Sequence, residues 1–166
     1  MASFEFEYAD RGGIGMSIHA ESEHEVYNAC VGAVGRVMWG ELPEEVEIPI
    51  VWYGFDEGSL AVALINELLY QHQLRDFCFS RFATERVEEV EELDEKVWKG
   101  SARQLKIFGK AYGVIDKDQS IAVKLPIYAA LLPGMKFKCL DDGSYHYYCI
   151  LDDVGGDPDQ MPKDMA

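Results

Sequence analysis

The stretch from Asp56 to Leu74, D-E-G-S-L-A-V-A-L-I-N-E-L-L-Y-Q-H-Q-L, constrains the fold more than any other part of the sequence. Leu60, Val62, Ala63, Leu64, Ile65, Leu68 and Leu69 occupy more than one side of a helix. A helix that is apolar nearly all round has to be buried, so the rest of the chain is expected to pack around this one. Asp56 or Ser59 caps its first amides, and Asp56 and Glu57 set negative charge at the positive end of its dipole. Asn66 and Glu67 interrupt the apolar surface. Burying either without a partner is costly, which places them where the helix meets a sheet edge or solvent.

The flanking segments supply strands and one more helix. Phe4, Phe6 and Tyr8 alternate with Glu5 and Glu7, and Ile14, Met16 and Ile18 resume the alternation after Asp10-Arg11-Gly12-Gly13. This is the pattern of an antiparallel pair joined by a glycine turn or bulge. Ser22 to Glu25 has capping-box spacing and begins a helix running to about Trp39, which Gly40 and Pro43 stop. Val46, Ile48 and Ile50 form a strand that Pro49 marks as an edge or a bulge. Phe77 to Phe82 reads as a strand, and Glu85 to Glu95, with seven carboxylates, as a solvated strand end or loop. Further strands are expected over Val97–Phe108 and Ser120–Pro126, joined by a turn at Asp116-Lys117-Asp118. A final hairpin opens at Pro133-Gly134 and turns at Asp141 to Ser144, bringing Cys139 near His146. Two main helices among about eight strands make an α+β fold with mixed or antiparallel sheets. One domain is expected over residues 1–154, and residues 155–166, rich in glycine, proline and charge, read as a flexible C-terminal tail.

Charge and cysteine usage narrow the functional classes. A net charge of -15 opposes direct binding to phosphate backbones, which rests on Lys and Arg displacing counterions, so RNA is expected to be met only through a partner. Nine of the fifteen basic residues nevertheless fall between Lys96 and Lys138, which leaves room for a local cationic face. No apolar run approaches the roughly 20 residues that span a bilayer, and the acidic start lacks the basic-then-apolar order of a signal peptide, so a cytoplasmic protein with no membrane contact is expected. Cys30, Cys78, Cys139 and Cys149 form no C-x-x-C pair and read as reduced, mostly buried thiols.

The motifs of nucleotide hydrolases, zinc proteases and serine hydrolases are missing, and Gly12 to Gly15 precedes a strand rather than a helix, out of context for a phosphate cradle. His19, His24, His72 and His146 are scattered. Carboxylates remain: Asp10 after the first strand, and Asp152 and Asp153 after the last. Acids converging from two strand ends suit a hard divalent cation, although two polar strand ends in solvent give the same pattern.

Leu64 to Tyr70, L-I-N-E-L-L-Y, followed by F-C-F-S-R-F at Phe77 to Phe82, resembles the archease family. Val26 to Ala29 resembles that family's first helix, Gly109 to Tyr112 its central glycine turn, and Val123 to Tyr128 its V-K-A-x-T-Y strand. Asp142-Gly143 and Ile150 to Asp152 resemble its closing hairpin and terminal aspartate. The resemblance covers roughly residues 4–153, with the core-helix match the most specific part. It implies a small accessory protein, not an enzyme. Its partner would be the RNA ligase that joins 2′,3′-cyclic phosphate or 3′-phosphate ends to 5′-hydroxyl ends in tRNA splicing and RNA repair, and its task to promote that ligase's guanylylation and turnover.

The resemblance also implies a metal site, with Ca²⁺ as the cation and Mg²⁺ or Mn²⁺ as alternatives. The residues it assigns are Asp10 and Asp152, with Asp153 standing in for the family's terminal carboxylate. This sequence departs from the pattern in three places. A gapless register puts Gly13 at the family's N-terminal metal aspartate, whereas a three-residue insertion puts Asp10 there. Ile127-Tyr128-Ala129 replaces T-Y-H, and the chain runs on past Asp152. Two rivals stand beside this reading: a metal-free adaptor or chaperone on the same fold, and a metal-dependent phosphohydrolase, against which the want of a nucleophile or base counts.

Overall fold

The computed structural model describes residues 2–10, 12–90 and 104–153. In chain order its elements are β1 (Ser3–Tyr8), β2 (Ile14–Ala20), α1 (Glu23–Trp39), β3 (Val46–Gly54), α2 (Glu57–Arg75), β4 (Phe77–Glu89), β5 (Leu105–Ile115), β6 (Ala129–Cys139) and β7 (Tyr145–Asp152). The strands form two sheets, ordered β1-β2-β7-β6 and β3-β5-β4, and every strand pairing in them is antiparallel. The architecture is α+β with two helices, as the sequence patterns imply.

α2 is the core helix. Leu60, Leu64 and Leu68 are fully buried, each contributing about 1.5 to 3 kcal/mol of apolar transfer. Asp56 accepts from the Ser59 amide at 2.8 Å while Ser59 Oγ accepts from the Asp56 amide at 3.1 Å, so the two candidate caps form one reciprocal box. The helix packs on edge strands of both sheets, β3 and β6, and on α1. Asn66 does meet a sheet edge: its side-chain amide donates to the Ala130 carbonyl at 3.0 Å and accepts from the Ala130 N–H at 2.7 Å. A helix residue thereby occupies the bonding positions another strand would take, and that point of the β6 edge is closed to further pairing. Asn28 on α1 acts similarly on the other sheet, its Oδ1 accepting from the Thr84 N–H at 2.9 Å and the Thr84 hydroxyl at 2.8 Å beside a β4 bulge.

Ser22 caps α1 by accepting from the Glu25 amide, but Glu25 reaches back to the Glu21 N–H, not that of Ser22. Pro49 lies on an edge strand, where its missing N–H costs no ladder bond.

Several sequence expectations are corrected. Ser120–Pro126 is not a strand although Ile121, Val123, Leu125 and Ile127 alternate. Asp116 takes its backbone out of reach of a ladder by accepting from the Ser120 amide and hydroxyl and from the Ile121 amide, and Lys124 N–H bonds the Met38 carbonyl at the end of α1. The turn at Asp116 to Asp118 exists, with Gln119 N–H bonding the Asp116 carbonyl, but it leads into this loop. Gly109 to Tyr112 is no turn: it is the middle of β5, the central strand, where the Phe82 ring and the Ala83 carbonyl fill the place a Cβ would take on Gly109. The strand expected over Val97–Phe108 begins among described residues only at Leu105 and runs on to Ile115.

The last hairpin does not open at Pro133-Gly134. β6 starts at Ala129 and carries these two residues through a break in register between Leu131 and Lys136. Cys139 pairs with Tyr145 and Lys138 with His146, so Cys139 does lie near His146. The acidic segment is the exposed end of β4 as far as Glu89. Its remainder from Glu91, and the tail expected over residues 155–166, lie outside the described residues. Seven strands stand among the described residues where about eight are expected from the pattern. The four cysteines are free, and three of them are buried.

Candidate functional site

The register of the four-stranded sheet decides which carboxylates share an end. β2 and β7 run antiparallel with Ile14 opposite Leu151, so the turn before β2 and the residues closing β7 lie at the same end of the sheet. That turn is held by Ala9 N–H to the Gly13 carbonyl at 3.0 Å and Gly12 N–H to the Ala9 carbonyl at 3.2 Å. Gly12 and Gly13 have φ of 95° and 82°, a region that favours glycine. A Cβ on Gly13 would also lie 2.9 Å from the Leu151 carbonyl oxygen, so the turn fits against the end of β7 only because that side chain is absent.

Asp10 is exposed on this turn. Asp152 pairs with Ala129 at the start of β6, and its carbonyl accepts from the Tyr128 N–H at 2.8 Å. Strand alternation puts Asp152 on the face of Tyr148 and Ile150, opposite buried Cys149 and Leu151. Asp153 follows, only 7% exposed. Burial, then Glu7, Cys149 and Asp10 in that order, raise the Tyr148 phenol above its ordinary value.

The topology thus brings Asp10, Asp152 and Asp153 to one end of one sheet. Their carboxylates have the donor chemistry of a hard cation. They are not preassembled into a cage: among the described residues no three His, Cys, Asp or Glu side chains are grouped to hold a metal. An ion there would have to gather its ligands.

A second concave region, of about 320 Å³, is lined by Trp39, His72, Asp76, Cys78, Asp116 and Gln119 among others. Sequence reasoning passed over it because its residues are far apart in the chain. His72 Nδ1 lies 3.2 Å from the Phe77 carbonyl and 4.0 Å from Cys78 Sγ, and its ring meets Trp39 edge-on with centroids 4.9 Å apart. The pair has the composition of a thiol and its base. Burial, then the Asp116 and Asp76 carboxylates, push the Cys78 thiol up to about 11. It therefore stays protonated at neutral pH and is not an activated nucleophile.

Among the described residues no helix is long and apolar enough to cross a membrane. The model of the Archease protein family (MTH1598/TM1083) matches residues 6–152, which include Asp10 and Asp152. The solution structure of Methanobacterium thermoautotrophicum protein 1598 is similar to this chain with a TM-score of 0.65 and 20% sequence identity, over 90% of this chain and 97% of that one. The crystal structure of an archease from Thermotoga maritima, described as a possible chaperone, gives a TM-score of 0.46 and 16% identity over 89% of this chain and 93% of that one. No curated protein matches the chain.

Proposed function

The chain belongs to the archease family, and from that premise we propose that it is a non-catalytic accessory protein of an RNA ligase. It would promote guanylylation and repeated turnover of the enzyme that joins 2′,3′-cyclic phosphate or 3′-phosphate ends to 5′-hydroxyl ends. What carries the proposal is the family match over residues 6–152 together with the register that sets the Asp10 turn beside the end of β7. In this reading the negative end of the four-stranded sheet meets the ligase near its guanylylation centre. Nucleotidyl transfer is governed by positioning and by positive charge at the phosphates, so carboxylates here would serve it by holding a cation, with no proton transfer of their own.

The proposal includes a divalent cation, Ca²⁺ with Mg²⁺ or Mn²⁺ as alternatives, with Asp10, Asp152 and Asp153 as its ligands. Such an ion supplies positive charge toward nucleotide phosphates. The chain's own part is to bring the three carboxylates to one sheet end. The second reading, a metal-free adaptor or chaperone, is favoured by the lack of a preformed ligand group among the described residues.

The test is a ligase turnover assay with labelled GTP. Adding the full chain to its cognate ligase is expected to speed guanylylation and permit multiple rounds of joining. A chain that binds the ligase yet leaves both unchanged would contradict the accessory role. Unchanged stimulation in the presence of chelator, with the ligase's own metal supplied in exchange-inert form, would favour the metal-free adaptor.

A further inference from the structure

The three-stranded sheet buries one face against the helices and leaves the other to solvent. Its register sorts the outward residues into rows. Tyr112 of β5 stands between Glu47 of β3 and Arg81 of β4; Lys110 between Pro49 and Ala83; Phe108 between Val51 and Arg86; and Lys106 between Tyr53 and Glu88. Three aromatic rings and four cations therefore interleave on one antiparallel surface. The Arg81 guanidinium lies 3.8 Å from the centroid of Tyr112, the Arg86 guanidinium 3.7 Å from that of Phe108. Lys106 Nζ lies 4.8 Å from Phe108 and 5.5 Å from Tyr53, bridging two rings.

We propose that this outer face is a stacking platform for single-stranded nucleic acid. Nucleobases unpaired in a single strand bind proteins by laying their π-faces on aromatic rings and guanidinium planes, while neighbouring cations meet the phosphates. Rings at alternate positions of a solvent-facing strand, with Arg and Lys beside them, are the arrangement that binding needs. Tyr53 is 42% exposed and the Arg81 and Arg86 side chains 48% and 52%, while Phe108, Tyr112, Lys106 and Lys110 are half-buried, the two rings partly covered by the guanidinium planes laid over them.

The chain's charge of -15 does not apply to this surface. Its four cations face Glu44, Glu47 and Glu88, paired with Arg81, Lys110 and Arg86, so the face is close to neutral within an acidic molecule. An expectation drawn from net charge, that RNA is met only through a partner, averages over this asymmetry. Three of the four cations already hold carboxylates, so stacking rather than phosphate contact would carry most of the affinity, with Lys106 the cation offered to a phosphate. Stacking on a ring or a guanidinium plane needs no unpaired charge. Rings and planes read π-faces and not sugars, so RNA and DNA strands are expected to bind alike.

Fluorescence anisotropy of the full chain with labelled oligouridylate and oligothymidylate of about 12 nucleotides tests this, a length within the usual site size of a single-strand-binding fold. Both strands are expected to bind, and an RNA duplex, whose bases are already stacked, to compete poorly. Phe108→Leu and Tyr112→Leu, which keep apolar contact on the sheet and remove the ring, are each expected to weaken binding about 5- to 100-fold with Tm unchanged. Lys106→Gln is expected to lower the salt slope by about 1, and Tyr70→Ala, on the exposed side of α2, to change nothing. The proposal is overturned if no strand binds up to about 100 μM, the weak end of non-specific affinities. It is equally overturned if duplex binds as well as single strand, or if both Leu variants bind like wild type. Loss of ligase stimulation in these variants without any strand binding would assign the face to a protein partner, against the proposal. No ligase is present in the binding assay, so its failure leaves the accessory role standing.

Discussion

The end of the four-stranded sheet and the outer face of the three-stranded sheet are opposites in charge and in how they are built. The first collects Glu7, Asp10, Asp152 and Asp153 through one turn and one strand end, and its tyrosine is pushed up by burial and carboxylates. The second interleaves four cations with three rings across a ladder. A single net charge describes neither. The two surfaces belong to separate sheets that both pack on the helices, with Asn66 fastening α2 to the first sheet and Asn28 fastening α1 to the second. Each sheet is therefore expected to respond to substitution by itself.

The largest effect is expected in the core of α2, the helix that packs on both sheets. Leu68→Ala empties a fully buried position on α2 and should cost about 2 to 5 kcal/mol, read by denaturant unfolding. Loss of hydrogen-exchange protection in one sheet before the other would show that the helix does not couple them.

Ca²⁺ should raise Tm if the acidic end holds an ion, the added stability being about 2.7 kcal/mol at a hundredfold excess over its dissociation constant. Asp152→Asn should abolish that rise and leave the outer face of the three-stranded sheet binding as before. A rise that survives both Asp10→Asn and Asp152→Asn would place the ion elsewhere.

Asn66→Ala and Asn28→Ala sharpen the contrast further. Each removes a side chain that satisfies strand backbone groups, and each should cost about 1 to 3 kcal/mol. Hydrogen exchange should quicken in β6 for the first and in β4 for the second. Equal quickening in both strands for either variant would contradict separable fastening.

The smallest effect is a pH dependence in the loop after β5. The Ile121 amide, then the Ser120 amide and hydroxyl, hold the Asp116 carboxyl below its usual value. A carboxyl depressed in the folded state adds stability that is present above its unfolded pKa, about 3.9, and is lost as pH falls through the folded value. Thermal melts between roughly pH 2 and 6 should therefore fall more steeply for wild type than for Asp116→Asn. Parallel curves would remove Asp116 as the anchor of that loop.

How much of this was legible in the sequence varies by mechanism. Both helices were, because a cap and an apolar period are local: Asp56, Ser59 and the leucines lie within a few turns of each other. The meeting of Asn66 with a sheet edge was foreseen from the cost of burying an amide, but its partner Ala130 is 64 residues away. The loop from Ser120 was misread because Ile121 to Ile127 alternate like a strand, and only Asp116 and Met38, contacts from outside the segment, override that. Asp10 and Asp152 could be named from the resemblance, whereas their shared end required the β2–β7 register. The rings and cations of the outer face carry no motif; Arg81 meets Tyr112 and Arg86 meets Phe108 only once a bulged β4 is laid along β5.

If the protein acts on a ligase through its acidic sheet end, that end alone should govern the ligase's guanylylation. The most direct measurement is the rate of ligase guanylylation in the presence of wild type, of Asp10→Asn/Asp152→Asn, and of Phe108→Leu, each shown to be folded by its Tm. Wild type and Phe108→Leu are expected to stimulate equally, and the double aspartate variant not to stimulate. Full stimulation by the double variant would contradict action through the acidic end.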